Sequence, residues 1–403
     1  MNVPKLRFPE FEGEWEEMKF SNFLKPNFRD VPKPIQKYLA IGIRSHGKGT
    51  FQKPESEPDK IAMDTLYVVR ENDLIVNITF AWEGAIAIVP KEDDGGHVSH
   101  RFPTYEFRKE LVSHEYFRSV IADRRFRQKL ELISPGGAGR NRVMSKPEFL
   151  KLKHRFPSLP EQKKIAAFLG VVDAKIAALR ARRAGLERYK RGLMQALFSQ
   201  TLRFTKPDGT AFPDWEEKRL GEVFTRVTRK NVEDNQNVLT ISAQQGLVNQ
   251  RDFFNKSVSA QDVTGYYLLK KGDFAYNKSY SKGYPMGAIK RLNNYEKGVV
   301  STLYICFSAD SETVSKYFEQ YFDFGGLNRE IHKIAQEGAR NHGLLNMSVV
   351  EFFKDMIMPF PHPDEQAKIA EALSAMDAKI AAVGDQVAQM EAFKKGLLQQ
   401  MFV

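Results

Sequence analysis

Two stretches of this chain are near copies of one another, so any fold it adopts has to be built twice. The segment from Phe156-Pro157 to Phe198 aligns without a gap on Phe360-Pro361 to Phe402 at a constant offset of 204. Glu161-Gln162 answers Glu365-Gln366, and Asp173-Ala174-Lys175-Ile176 answers Asp377-Ala378-Lys379-Ile380. Weaker anchors extend the copy upstream. Leu6-Arg7-Phe8 matches Leu202-Arg203-Phe204, Trp15-Glu16-Glu17 matches Trp215-Glu216-Glu217, Asp73 and Asn77 match Asp273 and Asn277, and Gly139-Arg140-Asn141 answers Ala339-Arg340-Asn341. A period of about 200 residues is too long for a solenoid and indicates a duplicated domain. Between the anchors little identity remains, so the frame is repeated while its filling differs.

Each repeated stretch carries a heptad seam. In the first copy Ile165, Leu169, Val172, Ile176, Leu179, Arg183, Leu186, Lys190, Leu193 and Leu197 recur at alternating steps of four and three, all apolar but Arg183 and Lys190. In the second, Ile369, Leu373, Met376, Ile380, Val383, Val387, Met390, Leu397 and Met401 follow the same register. Both seams are interrupted by a lysine at the same step, Lys190 and Lys394, whose long stems could snorkel to water. Proline and acid open each helix, Pro160-Glu161 and Pro363-Asp364-Glu365, which suits the free N–H groups and positive dipole end of a helix start. A helix of roughly 38 residues is about 57 Å long. The natural partner of each seam is the other, and antiparallel pairing keeps the two globular segments at opposite ends. The expected architecture is α+β: two pseudo-symmetric globular domains of mixed α/β structure joined by two long helices forming an antiparallel coiled coil. The boundaries read 1–157, 158–200 (helix), 201–361 and 362–403 (helix).

Lys plus Arg number 61 against 50 acids, a net charge of +11, which favours a polyanionic partner. Cys306 is the only cysteine, excluding a disulfide frame and a cysteine zinc site, and fits a reducing cytoplasm. No apolar run of signal-peptide or membrane-spanning length occurs. Gly42-Ile43-Arg44-Ser45-His46-Gly47-Lys48-Gly49-Thr50 approximates a P-loop, but Gly49 stands where the magnesium-binding hydroxyl belongs. The eight histidines have no metal-ligand spacing, and neither a nucleophile elbow nor an Asp/Asn-Pro-Pro-aromatic methyltransferase motif is present. No metal site and no catalytic residue are therefore expected.

Reading bases requires paired donors and acceptors: Arg or Lys for guanine, Asn or Gln for adenine. The first globular segment offers Arg44, Ser45, His46, Lys48, Asn77, Trp82, Arg140, Asn141 and Arg142. The second offers Gln244, Gln245, Asn277, Lys278, Tyr280, Lys282, Arg340, Asn341 and His342. These fall in polar loops with neighbouring glycines, which let a backbone approach phosphate closely. Arg180, Arg182, Arg183, Arg188 and Arg191 make the first helix the more basic of the two.

Leu-Arg-Phe-Pro at 6–9, Trp15-Glu16-Glu17, the two Phe-Pro pairs, Glu-Gln followed by Lys-Ile-Ala, and Asp-Ala-Lys-Ile together resemble the specificity subunits of type I restriction–modification enzymes. That resemblance spans the chain. It implies two target recognition domains, each reading half of a bipartite site in double-stranded DNA, with the helix pair as a ruler. It also implies two modification (methyltransferase) subunits that use S-adenosylmethionine to methylate adenine, and restriction (translocase/nuclease) subunits that use ATP and Mg, so those cofactors belong to partners. The rival expectation is a non-catalytic DNA-binding scaffold or adaptor without bipartite specificity. A nuclease built on Asp208, Glu216 and Lys218 is a third.

Overall fold

The structure is a computed structural model describing residues 3–136, 142–242, 245–254, 262–280, 283–337 and 345–402. The chain divides into two compact units, Met1–Arg180 with Asp385–Val403, and Ala181–Gly384. Each unit combines one mixed α/β domain with part of both long helices, Leu159–Phe198 and Pro363–Met401. The α+β architecture expected of the sequence is the one observed.

In the first unit, strand Glu16–Lys19 pairs antiparallel with Lys153–Phe156, so the leader meets the segment that runs into the first long helix. A four-stranded antiparallel sheet follows in the order Leu24–Pro26, Thr104–Phe107, Leu74–Val76, Ile86–Ile88. The central strand Leu74–Val76 is buried on both faces, which explains its unbroken apolar run. Phe20, Phe23, Phe117, Phe126 and Phe149 interlock largely edge to face with ring centroids 5.1 to 5.8 Å apart. Each ring buried this way contributes on the order of 2 kcal/mol.

The second unit repeats this frame on its own residues. Glu216–Arg219 pairs with Ile357–Phe360, and the four-stranded sheet runs Phe224–Arg226, Ile305–Ala309, Phe274–Asn277, Ala288–Arg291. Phe224, Phe274, Phe307, Phe318 and Phe322 build the equivalent aromatic core. Even the ion pair on a buried aspartate recurs. Arg29 donates to Asp73 at 2.6 Å, and Arg229 bonds Asp273. Burial raises both carboxyl groups above the ordinary aspartate range, against the pull of those arginines and of the backbone N–H groups of Arg70 and Lys270.

The remaining strands keep one order but differ in how far they pair. The first unit carries a five-stranded sheet ordered Asp30–Pro32, Thr65–Val68, His97–Val98, Tyr38–Ile43, Thr50–Ser56. In the second, Leu239–Ser242 pairs with Gly246–Asn249 and Tyr267–Lys270 with Lys297–Val300, and isolated bridges of Lys230 with Tyr267 and, in parallel, of Val238 with Val299 join them in the same order.

The repeated motifs fasten the helices. Arg7 grips Glu161 through two hydrogen bonds of 2.8 and 2.7 Å, and Arg203 grips Glu365 at 3.1 and 2.9 Å. The amides of Gln162 and Gln366 donate to the carbonyls of Pro157 and Pro361, at 2.9 and 2.8 Å. These side chains hold each helix start to its own domain, which accounts for the Leu-Arg-Phe leader and the Glu-Gln pair recurring together.

Within each unit the two helix segments run antiparallel. In the first, Lys394 bonds Asp173 at 2.6 Å and Arg180 bonds Glu391 at 2.5 Å; in the second, Lys190 bonds Asp377 at 2.6 Å. The seam lysines therefore do more than extend to water: each pairs with the aspartate of the other helix's Asp-Ala-Lys-Ile motif. Ile165, Leu169, Val172 and Ile176 join the first core with Leu397 and Met401, whereas Leu197, Ile369 and Leu373 join the second. Leu179, Met376 and Val383 are also buried, while Leu186, Leu193, Ile380, Val387 and Met390 are half-buried. No described helix is long and apolar enough to cross a membrane.

Candidate nucleic-acid interface

In the first unit, chain segments far apart in sequence converge on one loop surface. The near-P-loop stretch is a hairpin turn between strands Tyr38–Ile43 and Thr50–Ser56, with no helix behind it. Arg44 folds back to donate to the Thr50 carbonyl, and its guanidinium lies 5.1 Å from the centre of the Phe51 ring. The turn is pinned to the loop after Asn77. Ser45 Oγ donates to Glu83 at 2.7 Å, and the backbone N–H groups of His46 and Gly47 donate to the carbonyls of Glu83 and Gly84, each at 2.8 Å. Gly84 has a φ of 79°, and a Cβ there would meet Arg127 Cδ at 3.3 Å and His46 Cα at 3.4 Å. Only glycine fits that crossing without strain.

Asn77 accepts from the backbone N–H of Thr79 at 3.1 Å and so shapes the loop with its side-chain oxygen. Trp82 is half-buried, donates to the Thr79 carbonyl at 3.2 Å and carries the Arg142 guanidinium 5.2 Å above its ring. Arg101 reaches the Thr79 hydroxyl at 3.3 Å, and Arg127 lies 3.2 Å from His46 Nδ1. Lys48 is exposed at the turn. His46, Arg101, Arg127 and Arg142 thus converge on the loop that carries Trp82 and the exposed Phe80 ring, with Arg44 and Lys48 on the adjoining hairpin turn. Such a surface offers cations to phosphate and forked donors to guanine.

The second unit uses the same frame with other side chains. Asn277 accepts from the Ser279 backbone N–H at 3.0 Å, as Asn77 does for Thr79. Lys278 is half-buried and Tyr280 is exposed. Beneath this loop, buried Lys290 bonds Asp323 at 2.5 Å and Tyr284 at 3.2 Å. Gln245 is exposed, its backbone N–H held by Ser242 Oγ at 3.2 Å. Each loop has an equivalent flank within its own unit: Ile78 O accepts from Met144 N at 2.8 Å, and Lys278 O accepts from Leu345 N at 3.0 Å. Each loop therefore lies against residues that closely follow an Arg-Asn pair in sequence. Arg140, Asn141, Gln244, Lys282, Arg340, Asn341 and His342 lie outside the described residues.

Other sequence candidates have local roles. Asp208 closes its own turn, accepting from Thr210 N at 2.9 Å and Thr210 Oγ1 at 2.7 Å, and Lys218 pairs with Glu216 at 3.3 Å. Among the described residues no His, Cys, Asp and Glu side chains cluster to hold a metal ion. Arg101 and Arg127 were not anticipated from sequence as members of the loop surface. Arg127 had a signal in the run Arg124-Arg125-Phe126-Arg127, but the contact that places it is tertiary.

Residues 213–391 match the family model of the type I restriction modification DNA specificity domain. Across 98% of its length the chain is 25% identical to the type I restriction enzyme MjaVIII specificity subunit of Methanocaldococcus jannaschii, covering 92% of that protein. Among solved structures, it resembles the type I restriction–modification S subunit from M. genitalium, with a TM-score of 0.59 at 13% identity, covering 100% of this chain and 99% of that one. It also resembles the HsdS subunit from Thermoanaerobacter tengcongensis, with a TM-score of 0.50 at 16% identity and the same coverage. A chain from a structure describing complex assembly and conformational transition of the type I R-M system matches at a TM-score of 0.54 and 17% identity, covering 96% of both chains.

Proposed function

We infer that this chain, a specificity subunit of the type I restriction–modification class, reads the two halves of a bipartite DNA target with its two unlike loop surfaces. The observation that carries this reading is a repeated frame bearing different tips. Arg29–Asp73 and Arg229–Asp273, the Asn77 and Asn277 turns, and two sheets of the same strand order present loops with different chemistry. Identical tips would read a repeated sequence, whereas different tips read two different ones.

In this reading the long helices set the separation of the half-sites, and the DNA is held for partner subunits. Two modification subunits supply S-adenosylmethionine-dependent adenine methylation, and restriction subunits supply ATP- and Mg-dependent translocation and cutting. The chain contributes recognition. Arg44, His46, Lys48, Trp82, Arg101, Arg127 and Arg142 face the first half-site, while Gln245, Lys278 and Tyr280 face the second.

Methylation assays with and without modification subunits test the division of labour. Adenine methylation at one bipartite sequence should require both proteins, and methylation by this chain alone would overturn the reading. Removing one heptad from each helix, residues 176–182 and 380–386, tests the ruler. The spacer between half-sites should shorten while both half-sites persist; an unchanged spacer would refute that role.

A further inference from the structure

The first unit holds a second basic feature that continues the loop surface. A cleft of about 470 Å³ lies between the Asp123–Arg125 elbow and the last turns of the second long helix, lined by Asp123, Arg124, Arg125, Lys395 and Gln399. A smaller hollow of about 60 Å³ shares Asp123 and Arg124 with it and is lined further on by Arg127, His46 and Gly84, which belong to the loop surface. One strip of cations therefore runs from the recognition loops, through Arg127 and Arg124, to Lys395. Among the described residues lining these clefts the one carboxylate, Asp123, is already engaged. It accepts from the Arg125 backbone N–H and from Arg125 Nε, both at 2.9 Å, leaving Arg124, Arg127 and Lys395 as net positive charge.

We propose that this strip is a phosphate track, gripping the backbone of the same duplex beyond the bases read by the first loop set. The proposal rests on the reading of those loops as DNA-facing and extends it to residues outside them. Two properties identify the occupant as a nucleic-acid backbone. The strip is continuous with a surface already suited to bases, and it offers cations in a row with no aromatic side chain among its described lining residues. The track fixes register on the duplex and carries no sequence information of its own.

Binding of the full-length chain to duplex DNA, measured by fluorescence anisotropy across a salt series, tests this. Each phosphate contact contributes about 0.9 to the slope of log K against log salt. The double variant Arg124→Gln/Lys395→Gln should lower that slope by about 2 on both the mapped target and a scrambled duplex of equal length, leaving the ratio of the two affinities unchanged. Leaving Arg125 in place preserves its bonds to Asp123, and the Arg124→Lys/Lys395→Arg variant should keep the wild-type slope. An unchanged slope in a folded double variant overturns the track. So does a collapse of the target-to-scrambled ratio, which would make these residues base readers, or normal DNA binding with lost partner assembly, which would make the strip a protein-docking surface. Failure of the wild-type chain to prefer any duplex would instead refute the underlying recognition reading.

Discussion

Replacing Arg203 with alanine should destabilise the second unit far more than its partly exposed position suggests. Glu365 is fully buried, and its carboxylate is held by the Arg203 fork at 3.1 and 2.9 Å and by Trp215 Nε1 at 2.9 Å. The Glu365 hydrogen bond also holds the Arg203 guanidinium above its ordinary pKa, against the opposing pull of burial. Removing the arginine strands a buried charge with one neutral donor, a loss of about 3 to 5 kcal/mol. For a unit of this size each kcal/mol moves Tm by roughly 2 to 4 °C, so a drop of about 6 to 20 °C is expected. Thermal melting followed by tryptophan fluorescence is the assay, since Trp215 contacts the affected carboxylate. Arg203→Met/Glu365→Met removes both charges and should cost less than Arg203→Ala alone. The reasoning fails if Arg203→Ala costs under about 1 kcal/mol, or if the single losses simply add in the double variant.

Three further outcomes follow from particular groups. His154 is buried in strand Lys153–Phe156 beside the Phe156 ring, and burial, aided by Lys129 and Arg125, lowers its pKa to about 3. The unfolded chain then binds the extra proton, so stability falls as pH drops below about 6.5 and continues falling towards 3, by at most a few kcal/mol. Denaturant titrations across that window should show the slope in wild type and a flatter profile in His154→Phe. Lys190 and Asp377 should couple by about 0.5 to 1 kcal/mol in a double-mutant cycle read by chemical denaturation, with the charge-swapped pair Lys190→Asp/Asp377→Lys recovering part of the loss. Cys306 is buried and its thiol is pushed up to about 12, chiefly by burial, so thiol reagents at neutral pH should label it only in denaturant.

The repeat and the helix seams were legible because both leave a linear trace, identity at fixed offset in one case and apolar period in the other. Residues that serve one fixed geometry, such as Arg7 with Glu161 and Arg203 with Glu365, recur as motifs even though their partners are about 160 residues away. The loop surface was legible only in part. Arg44, His46 and Trp82 stand out as cations or aromatics in glycine-bearing loops, but whether they meet depends on backbone bonds from His46 and Gly47 to Glu83 and Gly84, which no local pattern announces. Arg101 and Arg127 join them from a turn between strands and from a helix for the same reason. The pairing of Lys190 with Asp377 was hidden because a lysine inside an apolar seam can reach water as readily as a carboxylate, and only the antiparallel register decides between them.

The central claim is that one repeated frame presents two different readings. Mapping methylated adenines in cells that carry this chain with its modification partners tests it most directly, for the wild type and for Trp82→Ala/Arg142→Ala. The account predicts a target of two unlike halves at fixed separation, with sequence preference degraded at one half only in the variant. A contiguous target, two identical halves, or equal loss at both halves would contradict it.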